Sequence, residues 1–200
     1  MTFPLLLATN NPHKITEIRE ILATLPVDIL TPADLGLTLT IAEDGDTYFE
    51  NARKKAVAFQ KASSLTVLAD DSGLEVAALH GSPGIHSHRF LPDANATDKD
   101  RRDYLLSRLH GLPQPWLAAF HCEVVLVDCA QHVFRAHGQC RGQIITPERG
   151  DNGFGYDAVF EVDGYGKTMA ELPAAIKNQV SHRAQALRAA LPFIKSLMES

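Results

Sequence analysis

The chain has 200 residues, of which 45% are hydrophobic and 22% are charged, and its formal net charge is −5. This length and apolar content allow one well-packed core or two joined lobes. The negative charge argues against a non-specific nucleic-acid binder, which normally carries a basic surplus. No apolar run reaches the length of a membrane span, and the start of the chain lacks signal-peptide features, so we expect no membrane association. The three cysteines, Cys122, Cys129 and Cys140, lack C-x-x-C spacing, which indicates free thiols and predicts a cytoplasmic location.

The first third of the chain alternates strand and helix patterns. The predicted elements are, in order, a buried strand over 5–8, a polar loop over 9–14, a helix from Pro12 to 22, a strand over 27–30, a helix over 47–61 with Thr47 as N-cap, and a strand over 66–69. That last strand is predicted to end in a tight turn that carries Asp70 and Asp71.

The remaining two thirds are richer in β-type patterns. We predict an ordered loop over 80–95, a helix over 98–109, two long antiparallel strands over 116–127 and 132–142, a strand over 157–162, and a closing amphipathic helix over 180–199. Residues 74–79 fit either a strand or a helix. The pattern predicts an α/β fold, with a mixed sheet, flanking helices and a second lobe built from the middle strands.

Two adjacent carboxylates at the end of an apolar run, Asp70 and Asp71, are the strongest functional signal. Neighbouring aspartates repel each other, so one of them is pushed toward protonation unless a cation keeps both ionised. A hard divalent cation, most simply Mg²⁺, prefers such oxygen ligands, and it usually shares its coordination shell with substrate phosphates. The sequence therefore predicts a magnesium site and raises the question of a phosphate-binding loop.

Segments near both ends of the chain carry groups that can bind phosphate. The loop from Thr9 to Lys14 offers a hydroxyl, two amides, a lysine and a helix N-terminus, although alone a plain polar turn is the better interpretation. The acidic residues 43–46 matter only if the fold brings them to Asp70 and Asp71; otherwise they are a solvated loop or a helix-dipole effect.

Two later segments carry aromatic and basic groups. In residues 152–157, glycines bracket Phe154, which offers a flat face for a base, or else the segment is a β-bulge with buried aromatics. Residues 177–183 place basic side chains at the start of the last helix, where a bound anion or base carbonyl would relieve the conflict with the helix dipole. A transition-metal site at His80, His86 and His88 is a weaker alternative.

Taken together, these motifs resemble those of the inosine triphosphate pyrophosphatase family. The matching elements span nearly the whole chain: Thr9-x-Asn11-x-x-Lys14, Glu43, Thr47-x-x-Glu50-Asn51-Ala52 with Lys55, Asp70-Asp71-Ser72-Gly73-Leu74, Pro83-Gly84-Ile85 with Ser87 and Arg89, Phe120-His121-Cys122, Gly153-Phe154-Gly155-Tyr156-Asp157, and Lys177-Asn178 with Ser181-His182-Arg183. Departures from the family pattern occur at Asn10, His13, His86 and Asn152.

The resemblance implies an elongated mixed sheet in one catalytic domain over 1–200, with two lobes around a nucleotide cleft. It also implies a homodimer that requires Mg²⁺ and hydrolyses ITP, dITP and XTP to a monophosphate and pyrophosphate. The site residues it implies are Glu43 and Asp71 for the metal, Asp71 for catalysis, and Thr9, Asn10, Asn11, Pro12, His13, Lys14, Lys55, Ser72, Phe154, Gly155, Tyr156, Asp157, Lys177, His182 and Arg183 for the substrate.

Two other functions compete with this one. A nucleotide sensor would use the same residues without turnover, although binding alone needs fewer carboxylates beside a polyanion. A pyrophosphatase for modified pyrimidine triphosphates is the other, and Phe154 with the Ser181-His182-Arg183 segment favours purines over it.

Overall fold

The computed structural model describes residues 2–93 and 95–199. Its strands are β1 (Phe3–Leu7), β2 (Val27–Leu30), β3 (Thr66–Val76), β4 (Trp116–Val127), β5 (Val133–Ile144) and β6 (Phe160–Val162). Its α-helices are α1 (Pro12–Leu22), α2 (Tyr48–Ser63), α3 (Asp98–Leu109), α4 (Ala174–Val180) and α5 (His182–Met198).

The strands form one sheet in the order β2–β1–β3–β4–β5–β6. Strand β1 pairs in parallel with β2 and with β3, whereas β5 and β6 are antiparallel, so the sheet is mixed. Strands β4 and β5 are neighbours joined only by residues 128–132, which is too short for a crossover connection. The predicted mixed α/β fold is confirmed.

The chain forms two compact units. Unit 1 comprises Met1–Asp71, Cys122–Gly138 and Arg183–Ser200, and unit 2 comprises Ser72–His121 and Gln139–His182. The boundaries fall inside β3, β4 and β5, so each of these strands contributes residues to both units. The single catalytic domain expected over 1–200 stays a prediction.

Unit 1 has helices on both faces of its strands. Successive residues of a strand point to opposite faces. Accordingly, Leu5 and Leu68 pack in one apolar cluster with α1 and α5, while Leu6 and Val67 pack in another with α2. The continuous apolar run of β1 is explained by this burial on both sides.

The main correction to the sequence prediction concerns β3. The predicted turn at Asp70 and Asp71 is wrong, because the strand continues through both residues to Val76. Polar residues and a glycine suggested a chain reversal, but both carboxylates are buried in the strand, with 2% and 7% exposure, respectively. Ion pairs from neighbouring helices make this burial tolerable.

Three smaller corrections concern element ends. The strand predicted over 157–162 is confined to Phe160–Val162, because Asp157–Val159 forms a 3-10 turn. The helix predicted over 180–199 runs from His182 to Met198, and the helix before it, Ala174–Val180, was not predicted. The two are separated at Ser181 by extended backbone with φ −64° and ψ 153°. The predicted loop over 80–95 contains a 3-10 helix at Gly84–Arg89.

Unit 2 has its own apolar core, in which α3 packs on the strands. Leu105 and Leu109 of α3 contribute to a cluster with Leu74 of β3, Trp116 of β4 and Phe160 of β6. The cysteines are free thiols, as predicted. In the described part of the chain, every helix is too short or too polar to span a membrane.

The core assignment predicts the effect of shortening two strand leucines of unit 2. Leu74 is fully buried, whereas Leu117 is 57% exposed. We expect Leu74→Ala to lower the free energy of unfolding by about 3 kcal/mol through lost burial and a residual cavity, and Leu117→Ala to change it by less than about 0.5 kcal/mol. Urea unfolding followed by circular dichroism measures both. Equal losses for the two variants would contradict the assigned core.

Candidate active site

Asp70 and Asp71 are adjacent in β3 but face different elements of unit 1. Because side chains alternate along a strand, Asp70 follows Leu68 toward α1 and α5, and Asp71 follows Ala69 toward α2. The two carboxylates therefore have separate partners, despite being neighbours in the sequence.

Asp70 accepts from two cations that come from opposite ends of the chain. Its Oδ2 atom lies 2.9 Å from Lys14 Nζ and 3.1 Å from both Arg183 Nε and Arg183 Nη2. Arg183 Nη1 donates to Glu17 on α1. Burial alone would raise the pKa of Asp70, but Lys14, Arg183 and Lys55 outweigh it and hold that pKa well below its usual range. Asp70 is therefore a buried anion at neutral pH.

Asp71 contacts two residues of α2. Asn51 Nδ2 donates to its Oδ2 atom at 3.2 Å, and Lys55 Nζ lies 3.6 Å from its Oδ1 atom. Burial is the main reason that the pKa of Asp71 is raised; Lys55 opposes the shift, and the charge of Glu43 adds to it. Neighbouring carboxyls whose pKa values are pushed apart are typical of acid–base sites.

The acidic segment 43–46 reaches the same place. Lys55 Nζ donates to Glu43 Oε1 at 2.8 Å, so Glu43 and Asp71 contact one ammonium group. Asn51 Oδ1 accepts from Gly45 N at 2.8 Å, which ties the segment to α2. A Cβ atom at Gly45 would lie only 2.8 Å from that oxygen, so a larger residue would displace the segment. From the sequence, this segment has a functional role only if the fold brings it to Asp70 and Asp71. Glu43 meets that condition, because it shares the Lys55 ammonium with Asp71.

The loop after β1 is mainly a helix cap. Asn11 Oδ1 accepts from His13 N at 3.0 Å and Lys14 N at 3.3 Å, and Thr9 Oγ1 accepts from Asn11 N at 3.2 Å. Asn10, Pro12 and His13 are exposed. The cap fixes the first turn of α1, and that turn carries Lys14 to Asp70.

A second polar cluster lies in unit 2, centred on Asp157. Its buried Oδ2 atom accepts from Phe154 N at 3.0 Å and from Lys177 Nζ at 2.8 Å. The same ammonium lies 5.3 Å from the centre of the Phe154 ring. Gly153 has a φ of +81°, and a Cβ there would overlap the Asp157 carboxylate, so this turn requires glycine.

Tyr156 and His182, both expected to bind the substrate, are buried in unit 2. The Tyr156 hydroxyl donates to Ser87 O at 2.8 Å. The His182 ring stacks on Phe120, with a centroid distance of 4.7 Å and an interplanar angle of 11°. Within the described ranges, no group of three His, Cys, Asp or Glu side chains forms a metal site, which gives the alternative at His80, His86 and His88 no support.

The predicted residues thus fall into two groups. Unit 1 brings together Lys14, Glu43, Lys55 and Asp71 with Arg183, and unit 2 brings together Phe154, Gly155, Asp157 and Lys177. Arg183 was predicted to contact the base, but its described ion pairs are with Asp70 and Glu17. The individual substrate roles, including that of Ser72, stay predictions.

The sequence prediction missed polar residues that organise these groups, among them Glu17, Asn51, Asp98 and Arg102. Glu17 follows Lys14 by three positions and so shares its helix face, a signal that was available from the sequence. Asn51 belongs to a recognised motif, but nothing local indicates that its amide reaches Asp71.

The donor set of unit 1 fits a divalent metal. Magnesium is usually bound by one or two carboxylates together with substrate phosphates, so a three-carboxylate group is not required. Glu43 and Asp71 already converge on one cation, the Lys55 ammonium.

Comparison with known proteins places the chain in a family. It matches the model of the Ham1 family over residues 5–193. The dITP/XTP pyrophosphatase of Thermoanaerobacter sp. (strain X514) is 42% identical over 195 residues, covering 98% of each chain. That of Thermus thermophilus is 44% identical over 190 residues, covering 94% of this chain and 90% of the relative. The solved structure of a HAM1 protein from Coxiella burnetii has a TM-score of 0.87 at 36% identity and covers 100% of both chains. The family resemblance expected from the sequence is confirmed, and the chain belongs to the Ham1 family.

Proposed function

We propose that this protein is a nucleoside-triphosphate pyrophosphatase that hydrolyses ITP, dITP and XTP to the monophosphate and pyrophosphate. The observation that carries the proposal is the buried cluster of unit 1, in which Lys14 and Lys55 are held on Asp70, Asp71 and Glu43. The lysines supply positive charge that can bind a polyphosphate. The carboxylates supply oxygen atoms that can bind a metal ion or accept a proton. Relatives that share about two fifths of the sequence are named dITP/XTP pyrophosphatases.

The phosphates are assigned to unit 1. Lys14 and Lys55, with Thr9 and Asn11, bind the triphosphate and stabilise the charge that develops on the pyrophosphate leaving group. The ion pairs hold both ammonium groups in place before substrate arrives, so little reorganisation is needed on binding. Arg183 has all three nitrogens on carboxylates, so we assign it to the organisation of this cluster.

Mg²⁺ would be held by Glu43 and Asp71, where it would neutralise charge on the substrate phosphates. Asp71 also orients the attacking water and accepts its proton on a carboxylate oxygen. Without a metal, burial raises the pKa of Asp71, and a bound cation would favour the ionised carboxylate that accepts a proton.

The purine is assigned to unit 2. Phe154 offers a face for stacking, and Lys177 and His182 supply donors for a 6-oxo group. Adenine presents an amino group at that position, so donor would face donor, and each buried mismatch costs about 1–3 kcal/mol. Guanine shares the 6-oxo group and has to be rejected through its 2-amino group. A homodimer and a cytoplasmic location complete the proposal.

A substrate panel tests the proposed activity. With Mg²⁺ present, we expect ITP, dITP and XTP to give monophosphate and pyrophosphate, and ATP and GTP to react more slowly by about tenfold or more, as one unsatisfied buried donor predicts. Anion-exchange chromatography identifies the products. Orthophosphate as the first product, faster turnover of modified pyrimidine triphosphates, or tight binding without turnover would each replace the proposal with another function.

The different roles assigned to Asp70 and Asp71 give a second test. Asp71→Asn keeps the size and hydrogen-bonding capacity of the side chain but removes its charge, so we expect kcat on ITP to fall by about 100-fold or more while nucleotide binding survives. Asp70→Asn leaves Lys14 and Arg183 facing each other without their shared anion, so its main effect should be a large loss of stability, on the order of 3 kcal/mol.

Steady-state kinetics and thermal unfolding of both variants separate these effects. A several-fold loss of kcat in Asp71→Asn, with unchanged metal dependence, would show that the catalytic carboxylate lies elsewhere.

A matched pair of lysine variants tests the assignment of phosphate and base. Every nucleotide shares the triphosphate, so Lys14→Ala should lower kcat/KM for ITP and ATP by similar factors. Lys177→Ala should lower kcat/KM for ITP far more than for ATP, because specificity is a difference of transition-state free energies. The measurement is the ITP-to-ATP ratio of kcat/KM. A ratio that changes in Lys14→Ala and not in Lys177→Ala would reverse the two assignments.

A further inference from the structure

One face of α3 holds the backbone of the segment that carries Phe154. Asp98 and Arg102 are four positions apart and so lie on the same side of this helix. Asp98 Oδ2 accepts from Gly155 N at 2.7 Å, and Arg102 Nη1 donates to Gly155 O at 3.0 Å. A single glycine is therefore held at both its donor and its acceptor, much as a residue in a sheet is held by its neighbouring strand.

The clamp is itself supported. Arg102 Nε donates to Glu148 Oε2 at 2.7 Å, and its side chain is only 15% exposed. Asp98 Oδ1 also accepts from Arg101 Nη2. Arg101, Arg102 and the Gly155 N–H all hold the pKa of Asp98 below its usual range against the opposing effect of burial. Both clamp residues are charged, and their orientations are fixed by further contacts.

This arrangement fixes Phe154 from both sides. The Phe154 N–H is bound by Asp157, and the next N–H along the chain, that of Gly155, is bound by Asp98. Gly155 has a φ of +61°, a conformation that other residues adopt at a cost, so without the clamp the glycine can adopt other conformations. The direction in which the Phe154 ring projects thus depends on α3.

We propose that Asp98 and Arg102 are positioning residues for purine recognition, acting through Gly155 on the ring of Phe154 without contacting the substrate. The proposal rests on the assignment of the base to unit 2. A purely structural role is the competing explanation. Asp98 in the first turn of α3 would stabilise that helix in any case, whereas Arg102 lies in the second turn and its described contacts are with Glu148 and Gly155.

Arg102→Ala is therefore the informative variant, and Lys99→Ala is its control. Lys99 lies on the same helix and pairs with Asp103, at a distance of 2.6 Å, on the solvent side. Two probes report binding of the base and of the phosphates separately, without turnover. Inosine 5′-monophosphate carries the base, and inorganic tripolyphosphate does not. Calorimetry gives Kd for each probe, and thermal unfolding reports the fold.

In Arg102→Ala we expect Kd for inosine monophosphate to rise by about tenfold or more, since small displacements of a recognition group have effects of this size. Kd for tripolyphosphate should change by less than about twofold. Arg102→Lys should recover part of the affinity, because an ammonium group can still donate to Gly155 O. In turnover, KM for ITP should rise more than kcat falls.

Three results would overturn the inference. These are an inosine monophosphate affinity in Arg102→Ala equal to that of Lys99→Ala, equal weakening of both probes, or a wild-type protein that does not bind the monophosphate. Failure of the wild-type protein to hydrolyse ITP while it still binds both probes would instead refute the proposed function, and the binding comparison would still decide the role of α3.

Discussion

The alternation of side chains along β3 is the constraint on which the site of unit 1 depends. Two adjacent carboxylates in a strand must point to opposite faces, so Asp70 and Asp71 cannot share one set of partners. Burying an ion without a partner costs several kcal/mol, and each face therefore needs its own cation. Lys14 and Arg183 meet Asp70 on one side, and Lys55 meets Asp71 on the other.

The charge balance of this cluster follows from that arrangement. Three cations, Lys14, Lys55 and Arg183, contact four carboxylates, Glu17, Glu43, Asp70 and Asp71. A polyphosphate brings more negative charge to a group that already has an excess of it. This excess is a physical argument for the proposed magnesium ion that does not depend on any relative. Burial is the main reason that the pKa of Asp71 is raised, and the charge of Glu43 adds to the effect.

The sequence predicted the strands, helices and caps that depend on local patterns. It missed the features that depend on contacts between residues far apart in the chain. The buried strand at Leu5, Leu6 and Leu7, the cap at Thr47 and the helix over 98–109 follow from patterns a few residues long. The continuation of β3 through Asp70 depends on Arg183, 113 residues away, which no local pattern contains. For the same reason Arg183 was predicted to contact the base from its position at a helix start, and the clamp on Gly155 was not predicted.

Both units hold their lysines in the same way. Lys14 lies on the buried Asp70, and Lys177 lies on the buried Asp157, each within 3 Å of a carboxylate oxygen. A free lysine loses up to about 2 kcal/mol of side-chain entropy when it is fixed, and here that loss occurs on folding. The ammonium groups are then oriented before a substrate arrives, the condition under which donors stabilise developing charge most effectively. Pairing with carboxylates weakens the field of each lysine, but it fixes the direction of its N–H groups. In a site that has to tell a carbonyl from an amino group, direction matters more than charge, because an amino group presented to a fixed donor has no acceptor to offer it.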